Sequence, residues 1–377
     1  MEFTREEALE MVQQLKEAGG RRDLAPLMAL YADDAVALSP VFGEVKGRTR
    51  IAATWETLFS TFSDIRIEIS DILIDGDRVA VLSTIRTTDR LGWFGLPATG
   101  APITYRLVLL WTVAGGKIIR DERIYDSAGV VERLEKARLD KELRTAGDVQ
   151  RALLSQHALS NRYCESVGDS VACRAIGGDF FEFIDLPCGD LGIAIGDIAG
   201  KGPAAALLAA MLQGMLAVEA PAGVSPAVVV SRLNARLAAR RLESRFATLV
   251  YGVLSSDGRL TYSNAGHNPP ILLAPRDTRR LSVGGPILGA FPASAFEEET
   301  VRLGSGDTFV MFTDGVTEAR NARDEEFGEP RLLACLGQID RLQPEAVVKR
   351  VFSEVRAFCQ DTEQTDDITV TATRFLH

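Results

Sequence analysis

Apolar and polar residues alternate along two long stretches in the first third of the chain. Residues 65–90 alternate on both sides of an Asp-Gly pair, and residues 103–126 repeat this pattern around a Gly-Gly pair. Alternation with a period of two, interrupted by turn-forming residues, is typical of β-hairpins. Residues 1–20 instead follow an amphipathic helical pattern with a threonine near its start. Helices followed by a run of hairpins predict an α+β domain with a curved antiparallel sheet.

A second pattern, without proline, runs from Gly129 to Gln156 and repeats its apolar residues every three or four positions. This spacing predicts one long helix that buries an apolar stripe. The stripe could lie on the core of the following domain, or it could pair with a second copy of the chain in a parallel coiled coil; the spacing allows both. We therefore expect a domain at 1–131, a helical linker at 132–160 and a second domain at 161–377.

Short apolar strands broken by glycine and aspartate dominate the chain after Tyr163. Two strong helical patterns interrupt them, at residues 203–220 and 225–241. With 377 residues, the chain is longer than one hydrophobic core usually organises, which agrees with a division into two domains. The pattern therefore predicts a second domain that mixes strands and helices.

The composition is that of a soluble globular protein, with 46% hydrophobic and 25% charged residues. A formal net charge of -10 disfavours nucleic acid or an anionic membrane surface as a partner. The five cysteines form no C-x-x-C pair, which is typical of reduced thiols in a cytoplasm. The N-terminal residues lack the basic start and apolar core of a signal peptide. We therefore expect a cytoplasmic protein with no nucleic-acid and no membrane partner.

Aspartates stand at the ends of several apolar strands of the second domain: Asp179, Asp197, Asp314 and the pair Asp366 and Asp367. One such aspartate beside a glycine is normally a turn residue. Several carboxylates that converge at strand ends would repel one another strongly unless metal ions neutralised them. Glycines beside three of these aspartates would let backbone carbonyls and water approach an ion closely. The pattern therefore predicts a site for hard divalent cations.

Seven blocks of the second domain follow one another in a fixed order: VACRAIGGDFFEF, IAIGDIAGKGPAAALLAAML, RFATLVYGVL, LTYSNAGHNPPILL, GGPILGAF, FTDGVTEARN and TDDITV. In this order they resemble the metal-dependent protein phosphatases of type 2C (the PPM family), and most closely its SpoIIE-like bacterial serine phosphatases. The resemblance extends from Leu143 to the C-terminus. It implies an αββα sandwich with a two-metal centre that holds Mn²⁺ or Mg²⁺.

The same resemblance assigns roles to individual residues. It implies six metal ligands: Asp179, Asp197, Ile198 through its carbonyl, Asp314, Asp366 and Asp367. Asp197 would bridge the two ions, Asp179 would hold the second ion, and Arg174 would bind the substrate phosphate. Arg174, Asp179 and Asp197 are thus the implied catalytic residues. Ala199 stands where the eukaryotic enzymes carry a histidine, so the resemblance supplies no histidine to protonate the leaving oxygen.

The substrate class also follows from the resemblance. In this branch, a water activated between the two ions hydrolyses phosphoserine on a small anti-sigma-factor antagonist, which then switches partners and frees a sigma factor. The alternative is a non-catalytic PPM-fold protein that binds and sequesters a partner. Retention of all the expected aspartates and of Arg174 weighs against that alternative.

The first domain resembles a different group. LYADDAVALSP, FGLPATGAPITYR and GGKIIRDERIYD, in this order, look like the SnoaL-like branch of the nuclear transport factor 2-like superfamily. That resemblance implies a cone-shaped α+β fold with a pocket, used for small-molecule chemistry or for ligand sensing and dimerisation. Trp93, Tyr105 and Asp121 are the candidate pocket residues. Because Glu122 replaces the usual aromatic residue, we expect a sensor or regulatory domain and a homodimer rather than a small-molecule enzyme.

The order of the domains suggests how regulation would work. A ligand or partner at the first domain would change the packing of the helical linker. The linker would in turn move the helices at residues 203–220 and 225–241, which directly follow Asp197 in the chain. A small shift of those helices could then complete or dismantle the metal site.

Overall fold

The computed structural model describes most of the chain: residues 3–93, 95–153, 157–240, 246–274, 277–337 and 343–377. The chain divides into two compact units, Met1–Glu142 and Leu143–His377. The dividing line lies inside a continuous helix rather than in a loop. Each unit has its own hydrophobic core, as the prediction of two α+β domains requires.

The first unit is built from one sheet and the helices beside it. Its elements in chain order are α1 (Arg5–Arg21), α2 (Leu24–Met28), β1 (Tyr31–Ser39), β2 (Gly43–Lys46), α3 (Arg48–Thr61), β3 (Arg66–Asp75), β4 (Arg78–Thr88), β5 (Pro102–Ala114) and β6 (Lys117–Ile124). The strands form one sheet in the order β2-β1-β6-β5-β4-β3. Strands β1 and β6 are parallel, whereas the other neighbours are antiparallel.

Both predicted hairpins are present in this sheet. Strands β3 and β4 are joined at Gly76, and strands β5 and β6 at Gly115 and Gly116. All three glycines have a positive φ, between 54° and 71°, which residues with a side chain rarely adopt. These turns set the register in which alternate residues of β4 face the core.

A single helix, α4 (Ser127–Leu153), carries the chain from the first unit into the second. It matches the long helix predicted from Gly129, although residues 154–156 at the predicted end lie outside the described residues. Val130 is buried near its start, whereas Val149 near its end is 57% exposed. Pairing of this helix with a second copy of the chain remains a prediction, as do the exact bounds of the predicted linker.

The second unit contains two packed sheets with helices on both outer faces. Its elements in chain order are β7 (Ala158–Ser160), β8 (Cys164–Val171), β9 (Phe180–Asp185), β10 (Leu191–Ile198), α5 (Pro203–Glu219), α6 (Pro226–Ala238), β11 (Ala247–Leu254), β12 (Arg259–Ala265), β13 (Ile271–Ala274), β14 (Asp277–Arg280), β15 (Gly284–Gly285), β16 (Glu299–Arg302), β17 (Thr308–Phe312), α7 (Asp314–Thr317), α8 (Gly328–Gly337), α9 (Pro344–Cys359) and β18 (Ile368–Phe375).

The layers of this unit follow from its apolar residues. One sheet has the order β15-β12-β11-β10-β9, with β16 beside β12, and the other has the order β14-β13-β17-β18-β8-β7. Phe181 and Met311 belong to the core between the two sheets. Helices α5 and α6 cover the first sheet, while α8 and α9 cover the second. This arrangement confirms the predicted αββα sandwich.

Helix α5 is unusually apolar. By length and composition alone, the helical stretch Pro203–Ala222 could cross a membrane. In this unit, however, Leu212 and Leu216 of the stretch are buried in the core against the first sheet. Alanine and leucine also have high helix propensity, and Pro203 at the first helical position suits a helix start.

Candidate active site

The predicted aspartates lie at the same end of both sheets of the second unit. Asp179 directly precedes β9, and Asp197 is near the end of the antiparallel neighbour β10. Only Thr313 separates Asp314 from the end of β17. The Asp366–Asp367 pair directly precedes β18, which is the antiparallel neighbour of β17. Antiparallel pairing places the end of one strand beside the start of the next. The fold therefore brings together aspartates from four separate segments of the chain.

Asp179 is almost completely buried and is held by two threonine hydroxyls. Its Oδ2 accepts hydrogen bonds from Thr313 Oγ1 at 2.7 Å and from Thr369 Oγ1 at 2.8 Å. Burial, and next the negative charge of Asp197, raise the pKa of Asp179 well above its usual range, although the threonine hydrogen bonds oppose this rise. Asp179 is thus fixed in position but lacks a positively charged partner among the described residues.

Asp197 is coupled to the other carboxylates. Burial, and next the negative charge of Asp314, raise the pKa of Asp197 to about 7, while a side-chain hydrogen bond with Asp179 opposes the rise. At neutral pH the Asp179–Asp197 pair therefore resists full ionisation, as expected for acids that share a site.

Asp314 and Asp366 occupy the more accessible side of the cluster. Burial, and next the charge of Asp366, raise the pKa of Asp314. Asp366 Oδ2 forms a salt bridge with Lys201 Nζ at 2.9 Å, and Lys201 also donates to the carbonyl of Thr365. The ammonium of Lys201 therefore offsets part of the negative charge that the aspartates concentrate here.

Asp367 has a different environment from its neighbour. Its carboxylate accepts hydrogen bonds from the backbone amides of Cys173, at 2.8 Å, and of Gly178, at 2.6 Å. A Cβ atom on Gly315 would lie 1.9 Å from the Asp367 carbonyl oxygen, so only glycine fits there. The Asp367 side chain thus holds the turn at residues 173–178, which we call the arginine turn because it carries Arg174.

The remaining predicted residues lie around this turn. Arg174 is exposed, and its Nη1 would be 4.0 Å from a Cβ atom on Gly202, at the start of α5. A Cβ atom on Gly178 would lie 3.2 Å from the Ile198 carbonyl oxygen. The proposed phosphate-binding arginine and the proposed carbonyl ligand are therefore both close to the turn that leads into Asp179.

The cluster fits the metal ions that the family resemblance implies. Its aspartates are partly or fully buried, and burial with mutual repulsion raises the pKa of three of them, which bound divalent cations would relieve. Within the described parts of the chain, no three His, Cys, Asp or Glu side chains form a ready-made metal-ligand group. Asp366 is paired with Lys201, and Asp367 accepts hydrogen bonds from the arginine turn. Ion binding would therefore require some of these side chains to change partners.

Several residues that support the site were not anticipated from the sequence. Thr313 and Thr369 hold Asp179, and Lys201 pairs with Asp366. The only available signal was their position inside the motifs FTDG, TDDITV and GKG. Each of these motifs placed a hydroxyl or an amine within a few residues of a candidate ligand.

His267, which lies in one of the family blocks, has a structural environment. Its Nδ1 is 2.6 Å from Thr248 Oγ1, and its Nε2 is 3.2 Å from the carbonyl oxygen of Phe312. Because a carbonyl only accepts, Nε2 carries the proton and Nδ1 accepts from the threonine. Burial lowers the pKa of His267 to about 4, so the ring is neutral at physiological pH. His267 thus ties β11 of one sheet to the end of β17 in the other.

The candidate pocket residues of the first unit lie in its hydrophobic core. The rings of Trp93 and Tyr105 are 5.5 Å apart. Asp121 is fully buried, and its Oδ2 accepts hydrogen bonds from Tyr31 Oη at 2.9 Å and from Arg123 Nε at 2.9 Å. The Asp121 carboxylate therefore forms a buried salt bridge with the Arg123 guanidinium.

Comparison with protein families supports this division of the chain. The family model described as Stage II sporulation protein E (SpoIIE) matches residues 187–376, which is half of the chain. A SnoaL-like domain model matches residues 12–121. The PP2C domain of SiaA from Pseudomonas aeruginosa, a solved structure, has a TM-score of 0.56 at 18% identity. The match covers 64% of this chain and 98% of that domain, which shows a shared fold.

Two curated relatives each match more than half of the chain. Phosphoserine phosphatase RsbU from Bacillus subtilis is 28% identical over 240 residues, which are 63% of this chain and 70% of RsbU. Protein IcfG from Synechocystis is 31% identical over 228 residues, which are 53% of this chain but only 36% of IcfG. The chain thus spans about a third of the length of IcfG. With a family model that matches half of its length and a phosphatase sandwich, the chain belongs to the SpoIIE family and is homologous to phosphoserine phosphatases.

Proposed function

We propose that the second unit is a metal-dependent protein serine/threonine phosphatase. The observation that carries this proposal is the convergence of aspartates from four segments of the chain at one end of the sandwich, near an exposed arginine. Burial of these carboxylates and their mutual repulsion, which together raise the pKa of Asp197 to about 7, support a site built for cations. A purely structural cluster would more commonly pair each buried acid with a base.

Asp197, Asp179, Asp314 and Asp366 would hold two divalent cations, Mn²⁺ or Mg²⁺, with the Ile198 carbonyl as a further ligand. The ions would supply an activated water and neutralise charge on the phosphate. Within the chain itself, the two threonine hydroxyls fix Asp179 in one orientation. Asp367 holds the arginine turn through backbone amides.

Arg174 completes the proposed machinery. Its guanidinium is exposed near Gly202, at the start of α5, and can donate two parallel hydrogen bonds to phosphate oxygens. Such a fork would orient the phosphoserine before water attacks and would balance negative charge as the serine oxygen leaves. Ala199 offers no acid for that oxygen, so its proton would come from solvent at the site.

The proposed substrate is phosphoserine on a regulatory partner protein, an anti-sigma-factor antagonist. The similarity to phosphoserine phosphatase RsbU supports this substrate class. A cavity of about 170 Å³ next to Gly315 and Asp366 supports it as well, because it could take a side chain that flanks the phosphoserine. We further propose that the protein acts in a cytoplasm as a homodimer.

For the first unit we propose a sensor or regulatory role, with a small-molecule ligand as its signal. The buried pairing of Asp121 with Arg123 supports this role over catalysis, because Tyr31 and Arg123 both occupy its Oδ2 atom. In the proposed regulation, the linker helix α4 changes its packing and moves α5 and α6. Glu219 of α5 forms salt bridges with Arg232 and Arg236 of α6, which would let the two helices move together.

The test is hydrolysis of a phosphoserine peptide by the full chain in Mn²⁺, in Mg²⁺ and in chelator. We expect activity that requires metal and that Asp197→Ala abolishes. Asp185→Asn changes an exposed aspartate at the opposite end of β9 from Asp179, so it serves as the matched control and should retain activity. If the wild type binds no metal and hydrolyses nothing under these conditions, the sequestering alternative replaces this proposal.

A further inference from the structure

The last turns of helix α4 contact the arginine turn directly. Gln150 Nε2 donates a hydrogen bond to the Gly177 carbonyl at 2.8 Å, and the Gly177 amide donates to Gln150 Oε1 at 3.1 Å. One side-chain amide thus pairs with both polar backbone groups of one buried glycine. Such a reciprocal pair fixes the position and the orientation of that residue.

The backbone of α4 also lies unusually close to the same turn. A Cβ atom on Gly147 would be 2.0 Å from the Ala175 carbonyl oxygen, so no other residue fits at this position without movement. Gly147 and Gln150 are three residues apart and therefore share one face of the helix. The close approach at Gly147 is what brings the Gln150 amide within reach of Gly177.

The arginine turn is held from its other side by the candidate site. The amides of Cys173 and Gly178 donate to the Asp367 carboxylate, and Gly178 lies against the Ile198 carbonyl. Consecutive glycines have no side chains to anchor them and retain wide conformational freedom. The path of the chain from Arg174 to Asp179 therefore depends on two clamps, the Asp367 carboxylate and the Gln150 amide.

We propose that Gln150 is a positioning residue for the phosphatase reaction, an inference that rests on the proposed function of the second unit. Through Gly177, it sets where Arg174 presents its guanidinium and where Asp179 meets the metal ions. Loss of Gln150 would leave a buried donor and a buried acceptor without partners. The turn would then relax and the site would bind ions less tightly. Helix α4 would thus act on the site directly, in addition to any route through α5 and α6.

The experiment compares Gln150→Ala and Gln150→Glu with wild type and with Arg144→Ala in the full chain. Glutamate keeps the acceptor for the Gly177 amide but places a second acceptor against the Gly177 carbonyl. Arg144 is exposed on the same helix and serves as the control. Binding is measured from the electron paramagnetic resonance signal of free Mn²⁺, and activity from the phosphoserine peptide. Amide hydrogen exchange of residues 172–180 reports the order of the turn.

We expect both Gln150 variants to bind Mn²⁺ roughly tenfold more weakly, as is typical when residues that orient metal ligands are removed. They should also raise KM for the phosphopeptide and exchange the amides of the arginine turn faster, while Arg144→Ala matches wild type. Unchanged Mn²⁺ binding and exchange in both Gln150 variants, with an active wild type, would overturn the positioning role alone. A wild-type chain that neither binds Mn²⁺ nor hydrolyses the peptide would overturn the proposed function and this inference with it.

Discussion

Asp121 in the first unit and Asp179 in the second are both almost fully buried, yet their carboxylates have opposite surroundings. Asp121 receives hydrogen bonds from Arg123 and Tyr31, and the guanidinium supplies a full positive charge. Asp179 receives two neutral hydroxyl hydrogen bonds and faces the negative charge of Asp197. The charge of the first carboxylate is balanced by a cation of the protein, whereas the second carboxylate has no cation beside it among the described residues.

Under the proposed function, this contrast separates a structural acid, Asp121, from a metal-binding one, Asp179. A buried ion pair satisfies its own charge and has no need of a ligand. Buried acids that repel one another keep a high pKa at a cost in stability, and such clusters are characteristic of sites that bind cations. The local environment of each aspartate, rather than its burial, therefore indicates which unit carries the chemistry.

The largest change in stability should come from removing the buried guanidinium of Arg123, which pairs with Asp121 in the first unit. Arg123→Met would leave Asp121 buried without its partner, and we expect a loss of about 3–5 kcal/mol in the free energy of unfolding. All three tryptophans of the chain lie in the first unit, so tryptophan fluorescence during urea unfolding measures this change selectively. Arg120→Met, which removes a half-exposed arginine paired with Glu122, is the control and should cost less than about 1 kcal/mol. Equal losses in the two variants would show that the buried Arg123–Asp121 pair stabilises the fold no more than the half-exposed Arg120–Glu122 pair.

The second-largest change in stability should come from His267, a buried neutral base in the second unit. His267 has a pKa of about 4 when folded and 6.5 when unfolded, so the unfolded chain binds the proton more readily. Stability should therefore fall as pH drops from 6.5 to 4, by about 3 kcal/mol in all. His267→Gln keeps a donor for the Phe312 carbonyl. In calorimetry, this variant should lose the pH dependence of the unfolding transition of the second unit, which is the transition that tryptophan fluorescence does not report. His377→Gln is the control, and a slope that survives His267→Gln would contradict this assignment.

Asp197 should make a smaller contribution to the pH dependence of stability, with the opposite sign to that of His267. Because burial and repulsion raise the pKa of Asp197, its ionised form destabilises the folded chain as pH rises from the ordinary aspartate range to about 7. Asp197→Asn removes that charge, and we expect the chain in chelator at pH 8 to gain about 1–2 kcal/mol of stability. Mn²⁺ should raise the melting temperature of wild type but not of this variant. A variant less stable than wild type in chelator would argue that Asp197 is structural.

The smallest effect tests how Asp179 is held. Thr369→Val removes one of its two hydroxyl donors and should cost about 1 kcal/mol of stability, together with some metal affinity. Thr371→Val is a matched control, because Thr371 is buried on the same face of β18 two residues further on. If both variants behave alike, the threonine hydroxyl has no particular role at Asp179.

The positions of the site aspartates were accessible from the sequence, but their environments were not. Asp197 and Asp314 stand beside glycines at the ends of apolar runs, a local pattern that can be read directly. The hydroxyl of Thr369 bonds to Asp179 across 190 residues of chain, and Gln150 bonds to Gly177 across 27. Such pairings depend on how the sheets and helices pack, and no local pattern records them.

The fold of the first unit shows the same limit. The hairpin turns at Gly76 and Gly115 followed from residue types, since a positive φ strongly favours glycine. The pairing of Asp121 with Arg123 did not follow, because strict alternation on β6 predicts only that the two residues share a face. That the shared face is the buried one depends on the parallel pairing of β6 with β1, which joins strands far apart in the chain.

Helix α4 has a consequence for how such proteins can be recombined in evolution or in the laboratory. It runs for 27 residues without interruption across the line that divides the two units. Each residue inserted into a helix rotates everything beyond it by about 100°, whereas seven residues leave a rotation of only about 20°. If the first unit regulates the second as proposed, exchange of the N-terminal module would preserve that regulation only in fusions that keep the helical phase of Gln150, such as those that add or remove about seven, eleven or eighteen residues.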